Sequence, residues 1–456
     1  MSETRTLVEF LSGLEVQLLP ANVIERAKVH ILDTLAVAAG GSTTEHARQA
    51  VATLKALGTP GNSTVIANDL TVNVLEAAFL NGVMAHSIDF DDAHKFVHPG
   101  AAIVPAALAF AESQGAHNVE FLKAVICGYE AAVRVSLAGG PSHRARGFHP
   151  TGTCNVIGTA VAAGVLLKLD AHQIVSAVGI AASQAAGLTQ YRIDGAATKH
   201  LHAGFAARAG GFAALLAREG LRGPEASIEG EVGFLKAFAD EADPEALTRG
   251  LGKSWAIATT DIKPYPSCRQ THAPLDLMLN LMRQNSISHE QIEAIRLATY
   301  KYVDKPWHVD TSPPGSSLEG MLSIPYCLAT AAVYGQVTLT NFGDAARADT
   351  RVCNLLRKIS IGFDEDMTAR WPAERGAAIT LVTSAGTFEA RASNPRGGGD
   401  QPVEWPEAVG KARGLTEDVL GPRRAEQLVE AVSRVDQPGS ASSLAALLVS
   451  EEGRHG

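Results

Sequence analysis

Residues 78–100 read AFLNGVMAHSIDFDDAHKFVHPG, and there an apolar run breaks into His86, Asp89, Asp91, Asp92, His94 and His98. A solvated loop rarely needs so many titratable groups, and a buried one cannot carry them unpaired. An imidazole titrates near neutral pH and can both take and give a proton, so acid/base work is the chemistry these types suggest. The device recurs at GFHPTGT, where His149 again precedes a proline. Taken alone, each of these histidines reads equally well as a helix cap or a surface group. Asp89 and Asp91 would point the same way in an extended segment and could bind a metal. No further group at the usual ligand spacing stands out, so no metal is expected.

Other stretches offer charge. Lys199 stands in ATKHLHAG, flanked by His200 and His202, just before an Ala/Gly-rich helical run. A lysine at a helix N-terminus adds its cation to the positive end of the dipole and draws carboxylates. KPYPSCRQTH supplies Lys263, Cys268, Arg269 and His272, with prolines on both sides of Tyr265 to stiffen it. Cys268 with His272 as a nucleophilic pair would also want an orienting third group and an oxyanion loop, and neither is legible. Tyr326, in LSIPYCLA, reads by default as a core aromatic.

The elements that must hold these residues are mostly helical. Of 456 residues, 46% are hydrophobic and only 5% aromatic, with abundant Ala and Gly that let helix axes approach closely. Helical periodicity runs through 20–40, 43–57 and the segment into His86. It continues in the run after His98-Pro99-Gly100 that stops at Gly115, in 118–140 up to an irregular polar SHRARGFHPTGT, and in the runs after Cys154 and Ala171. After residue 260 the period changes. Segments 293–300 and 358–364 alternate as strands, and 377–393 reads as a hairpin turning at Ser384-Ala385-Gly386. NPRGGGDQP is a linker, and the tail from Trp405 to Leu448 returns to helix. The expected fold is therefore mainly α: a large all-helical domain from residues 1–262 and 402–456, and a smaller α+β domain from 263–401.

Composition excludes several function classes. The formal charge is −9, from 39 basic and 48 acidic residues with no basic block, so nucleic acid and anionic membrane surfaces are not expected partners. No stretch is apolar enough to span a bilayer, and MSETRTLVEF does not read as a leader. Five scattered cysteines, none in a C-x-x-C pair, argue for reduced thiols. A cytoplasmic enzyme acting on a small molecule is the expectation.

The segments IDFDDAH…HPG, GFHPTGT, TKHLHAG, KPYPSCRQTH and LSIPYCLA, in this order, resemble the MmgE/PrpD family of 2-methylcitrate dehydratase, cis-aconitate decarboxylase and iminodisuccinate epimerase. The resemblance covers nearly the whole chain. It implies a homodimer whose α+β domain is a lid, with cofactor-free chemistry on a small di- or tricarboxylate between the two domains. It also implies roles: His98 and His149 as acid/base groups, Asp89 and Tyr326 orienting them, and Lys199 meeting the substrate. Lys263, Arg269, Cys268, His202 and His272 would line the substrate. In the decarboxylase branch a threonine is typical where Ala93 stands and a histidine where Cys268 stands. These departures make a dehydratase the expected activity, with an epimerase or decarboxylase using the same pocket as alternatives. A non-catalytic polycarboxylate-binding protein is the reading from another class.

Overall fold

The computed structural model describes residues 2–399 and 401–450. They fall into two compact units, one from the chain up to Thr189, Thr198–Thr260 and the chain from Glu404 on, the other from Gln190–Ala197 and Asp261–Val403. Among the described residues no helix is long and apolar enough to cross a membrane.

The first unit is a bundle of small-residue helices. Helix α1 (Ala21–Gly41) is buried from Lys28 to its end, and α2 (Val74–Ala85) starts where the Asn73 side chain accepts the amides of Leu75 and Glu76. Helix α3 (Gly100–Gln114) stops at Gly115 in the left-handed conformation, φ 61°. Helix α4 (Asn118–Ala145) runs on through SHRA, where the polar sequence suggests an irregular segment, with a kink at Gly140 (φ 59°, ψ −163°). Glycine absorbs that backbone because it has no Cβ to clash. Helices α5 (Asn155–Leu166) and α6 (Thr198–Arg218) complete the core, and the helix Trp405–Leu420 packs back on α1. The unit is not wholly helical: β1 (Ser63–Thr64) and β2 (Thr71–Val72) form a short antiparallel ribbon.

One crossing sets the geometry of everything that follows. A Cβ on Gly82 of α2 would lie 3.0 Å from the Gly204 Cα of α6, so the two backbones meet with no room for a methyl group. Running antiparallel from that point, the C-terminal end of α2 delivers His86 to the N-terminal turn of α6, which carries Lys199, His200 and His202. Lys199 is thus on the helix, where the sequence suggested the preceding loop.

The second unit holds a four-stranded sheet in the order β4-β3-β5-β6. Strand β3 (Ile292–Thr299) pairs in parallel with β4 (Ile359–Phe363) and antiparallel with β5 (Ala377–Thr383), which forms a hairpin with β6 (Gly386–Ala392). Strand β5 alternates buried and half-buried residues, so one face of the sheet meets a core with helices α7 (His272–Asn285) and α8 (Ile324–Tyr334). Leu275, Met278, Ile295, Ile379 and Leu381 fill it, each buried side chain contributing about 1.5–3 kcal/mol.

Candidate active site

Between α2 and α3 the chain makes no regular structure from Ser87 to Pro99, and hydrogen bonds between its own residues shape it. Asp91 is its centre. One carboxylate oxygen, Oδ2, lies 2.7 Å from His86 Nδ1 and 3.2 Å from His98 Nδ1. His98 Nδ1 is also 2.7 Å from the Asp92 carbonyl, so both its neighbours are acceptors and Nδ1 must carry the proton. Neutral His98 therefore keeps its lone pair on Nε2. His86 and Asp91 are fully buried, whereas His98 keeps 16% of its side chain exposed, and of the two rings it is the one a ligand can reach.

Asp91 is held well below the usual carboxylate range: its burial works against this, and the His86 and His98 rings outweigh it. Burial pushes His86 down to about 4, against the pull of Asp91. His86, Asp91 and His98 could between them reach one ion, their ligand atoms lying within 4.8 Å of one another. The Nδ1–Oδ2 separations are those of N–H···O bonds, and as hydrogen bonds they account for the tautomers without a metal.

A second layer fixes this loop from behind. Asp92 is fully buried, accepts the Tyr129 hydroxyl at 2.6 Å and lies 2.9 Å from His30 Nδ1, while its other oxygen accepts the Gly100 amide that opens α3. From the helix Trp405–Leu420, the Lys411 ammonium donates to the Phe90 carbonyl at 2.7 Å and pairs with Asp33 at 2.6 Å. Asp91 and Asp92 are the buried acids that shape the loop.

The facing wall comes from α6. Lys199 is buried and donates to Asp89 at 2.6 Å. Asp89 sits at φ 48°, a region costly for a residue with a Cβ, and that turn aims its carboxylate at the lysine. His200 Nδ1 lies 2.7 Å from the His86 carbonyl, and its ring stacks on His46 at 4.2 Å. His149, capping the short turn Pro150–Thr153, places Nδ1 2.9 Å from His202 Nδ1. The ring centroids of His86 lie 5.1 Å from His98 and 5.7 Å from His149. Burial lowers His149 and His200 well below the ordinary imidazole range, and lowers His46 and His202 to about 4. The wall is therefore a set of neutral imidazoles around one ammonium–carboxylate pair, suited to moving protons and to receiving an anion.

In the first unit the structure thus gathers His98, His149, Asp89, Lys199 and His202. It adds His86 and Asp91, paired five residues apart on one stretch, and His46 and His200, whose rings meet across the chain. Ala93 is buried and offers only a methyl group. The candidates of the second unit have different surroundings. Arg269 donates to Asp261 at 3.0 Å and to the carbonyls of Arg396 and Pro395, and its Nη1 lies 3.1 Å from His272 Nδ1. His272 Nε2 lies 3.1 Å from the Ser267 carbonyl. Tyr326 donates its hydroxyl to the Asn341 carbonyl at 2.6 Å, inside the core. Lys263 is fully buried, and Cys268, half-buried, packs beside Tyr191, Leu318 and Leu322.

Cis-aconitate decarboxylase-like protein oryM of Aspergillus oryzae is 29% identical over 98% of this chain and 97% of its own. Cis-aconitate decarboxylase of Homo sapiens is 28% identical over 98% and 94%, and that of Aspergillus terreus 27% identical over 98% and 95%. The MmgE/PrpD N-terminal domain matches residues 5–247 and the MmgE/PrpD C-terminal domain residues 265–437. With both domain models matched in order along nearly its full length, the chain belongs to the MmgE/PrpD family.

Proposed function

We propose that this protein is a carboxy-lyase acting on a small unsaturated polycarboxylate, with cis-aconitate as the first substrate to try. The observation that carries the reading is His98: a reachable imidazole with Nδ1 anchored on Asp91 and Nε2 left for chemistry, on the same loop as the Asp89 that holds Lys199. Support comes also from relatives named cis-aconitate decarboxylase over nearly the whole chain.

The chemistry balances with these groups. A substrate carboxylate shares the Lys199 ammonium with Asp89. The bond to a second, allylic carboxylate breaks, and CO2 leaves. The electron pair of that bond forms a new C=C, and the pair of the old C=C takes a proton from an imidazolium. One proton is consumed per turnover, and no redox partner is required. Lys199, close to the developing negative charge, stabilises it where little water competes.

A dehydratase is the second reading, favoured by Ala93, which brings no hydroxyl to the loop between Asp89 and His98. There a proton next to a carboxylate leaves to His98, and the hydroxyl departs as water. Proton NMR in deuterated water separates the two. With cis-aconitate, the expected result is loss of its vinyl signal, release of CO2 and one deuterium in the product methylene. Failure to turn over cis-aconitate, with formation of an alkene from citrate or methylcitrate, overturns the carboxy-lyase reading in favour of the dehydratase.

A further inference from the structure

Protons hold His86, Asp91 and His98 together, and a metal ion would compete with them for the same atoms. Among the described residues this is the one group of three histidine, cysteine or carboxylate side chains whose ligand atoms all lie within 4.8 Å of one another. Tetrahedral zinc takes imidazole nitrogen at about 2.0–2.1 Å and carboxylate oxygen at about 2.0–2.2 Å, which sets neighbouring ligand atoms about 3.3 Å apart. Asp91 Oδ2 is already 3.2 Å from His98 Nδ1. Its 2.7 Å distance to His86 Nδ1 has to open by about half an ångström, which a small turn of the rings supplies.

The donor set and its supports suit such an ion. Two imidazole nitrogens and one carboxylate oxygen favour a late divalent transition metal, where an all-oxygen site would favour magnesium or calcium. His86 and Asp91 are buried around the site, and His98, part-exposed, is its open side. The backbone of His98 is pinned on both sides: its amide donates to Thr151 Oγ1 at 3.2 Å, and its carbonyl accepts from Asn155 Nδ2 at 2.8 Å. The His86 carbonyl lies 2.7 Å from His200 Nδ1. Supports of this kind keep a ligand ring in its orientation. Lys199, the nearby cation that would oppose a metal, is paired with Asp89 at 2.6 Å.

We infer that His86, Asp91 and His98 form a binding site for a late divalent transition metal such as zinc, and that its occupation switches the enzyme off. A metal on Nδ1 of a neutral imidazole leaves the ring proton on Nε2. His98 then has no lone pair at the nitrogen left for chemistry, and giving up the Nε2 proton would leave an imidazolate. Only the tautomers change: no proton has to leave the protein and no electron is transferred. The switch rests on the reading of His98 as the acid/base group, whereas the metal site stands on geometry alone.

Equilibrium dialysis of the metal-stripped protein against zinc, with excess magnesium to occupy acidic surface groups, tests the site. The expected result is one zinc retained per chain. His98→Ala and Asp91→Asn should each weaken retention at least about tenfold, since losing even an outer partner of a metal ligand costs about 10–100-fold in affinity. X-ray absorption at the zinc edge of the wild type should show nitrogen and oxygen at about 2.0–2.2 Å and no sulfur near about 2.3 Å, which keeps the assignment testable if a variant does not fold. Turnover of whichever of cis-aconitate, citrate or methylcitrate the metal-free protein converts should fall about tenfold or more as zinc saturates, and return on chelation. No retained zinc, zinc on sulfur, or equal retention in both variants overturns the inference. The proposed function still stands in that case if metal-free His98→Ala has lost turnover. Zinc seated on nitrogen and oxygen with turnover unchanged overturns the switch, and with it the acid/base role of His98. A metal-free wild type inert toward all three substrates overturns the functional reading and the switch together, and leaves the metal site to be decided by retention and absorption.

Discussion

His98 in the first unit and His272 in the second are the same side chain put to different ends. His272 has a nitrogen at Arg269 and another at the Ser267 carbonyl, and it is fully buried. His98 has both its acceptors on one nitrogen and part of its ring exposed. Arg269 and Lys199 differ in the same way: the guanidinium is spread over Asp261 and two carbonyls, while the ammonium meets a single carboxylate on a strained loop. A polar group whose bonds are used up by the backbone holds the fold together. One with a free direction can meet a ligand.

The sharpest break of this contrast is His98→Ala. Turnover of the true substrate should fall by about 10²–10⁴-fold with little change in melting temperature, the usual worth of a general acid or base. Arg269→Ala should do the reverse, lowering unfolding free energy by about 3 kcal/mol in denaturant titrations, because Asp261 loses a largely buried partner. If Arg269→Ala left stability unchanged, the structural reading of that region would fail. Asp91→Asn keeps the shape of the loop but loses the anion that anchors His98, and kcat should drop about 10–100-fold, with a shifted pH profile. A drop no larger than that of Ala93→Thr, for which a change within about threefold is expected, would remove Asp91 from the machinery.

Acid stability sharpens the comparison differently. His46, His86, His143 and His202 are lowered by burial from the ordinary 6.5 to about 4. The unfolded chain therefore binds protons below about pH 6.5 that the folded chain refuses. Stability should be fully present above that pH and be lost as pH falls toward 4, at up to about 1.4 kcal/mol per pH unit for each group. Calorimetric melting curves across that range check the sign, and a Tm that rose on acidification would contradict the neutral cluster.

Much of the scaffold is legible in the sequence. The helical periods in 20–40 and after His98-Pro99-Gly100, and the alternation in 293–300 and 377–393, reflect burial on one face, which is a local property of the sequence. The cluster at 86–98 was equally visible as a cluster. Its wiring was not. Asp89 pairs with a lysine 110 residues away, and His30 reaches Asp92 across 62 residues. Spacing along the chain cannot say that Asp91, and not Asp89, lies on His98, because that depends on a turn at φ 48° and a glycine crossing between two helices. The kink that carries α4 past Gly140 was hidden for a related reason: a glycine pair before a proline looks like a stop until the packing beyond it is known.

The strut from Lys411 to the Phe90 carbonyl spans 321 positions of sequence. On the ribosome the loop with His98 is made long before the ammonium that braces it. A nascent chain ending short of residue 411 carries the imidazoles without this clamp and without the partner of buried Asp33. The order of synthesis thus withholds a finished reactive loop until the last part of the chain has folded back, and a truncated product would be defective in chemistry before it was defective in helix content.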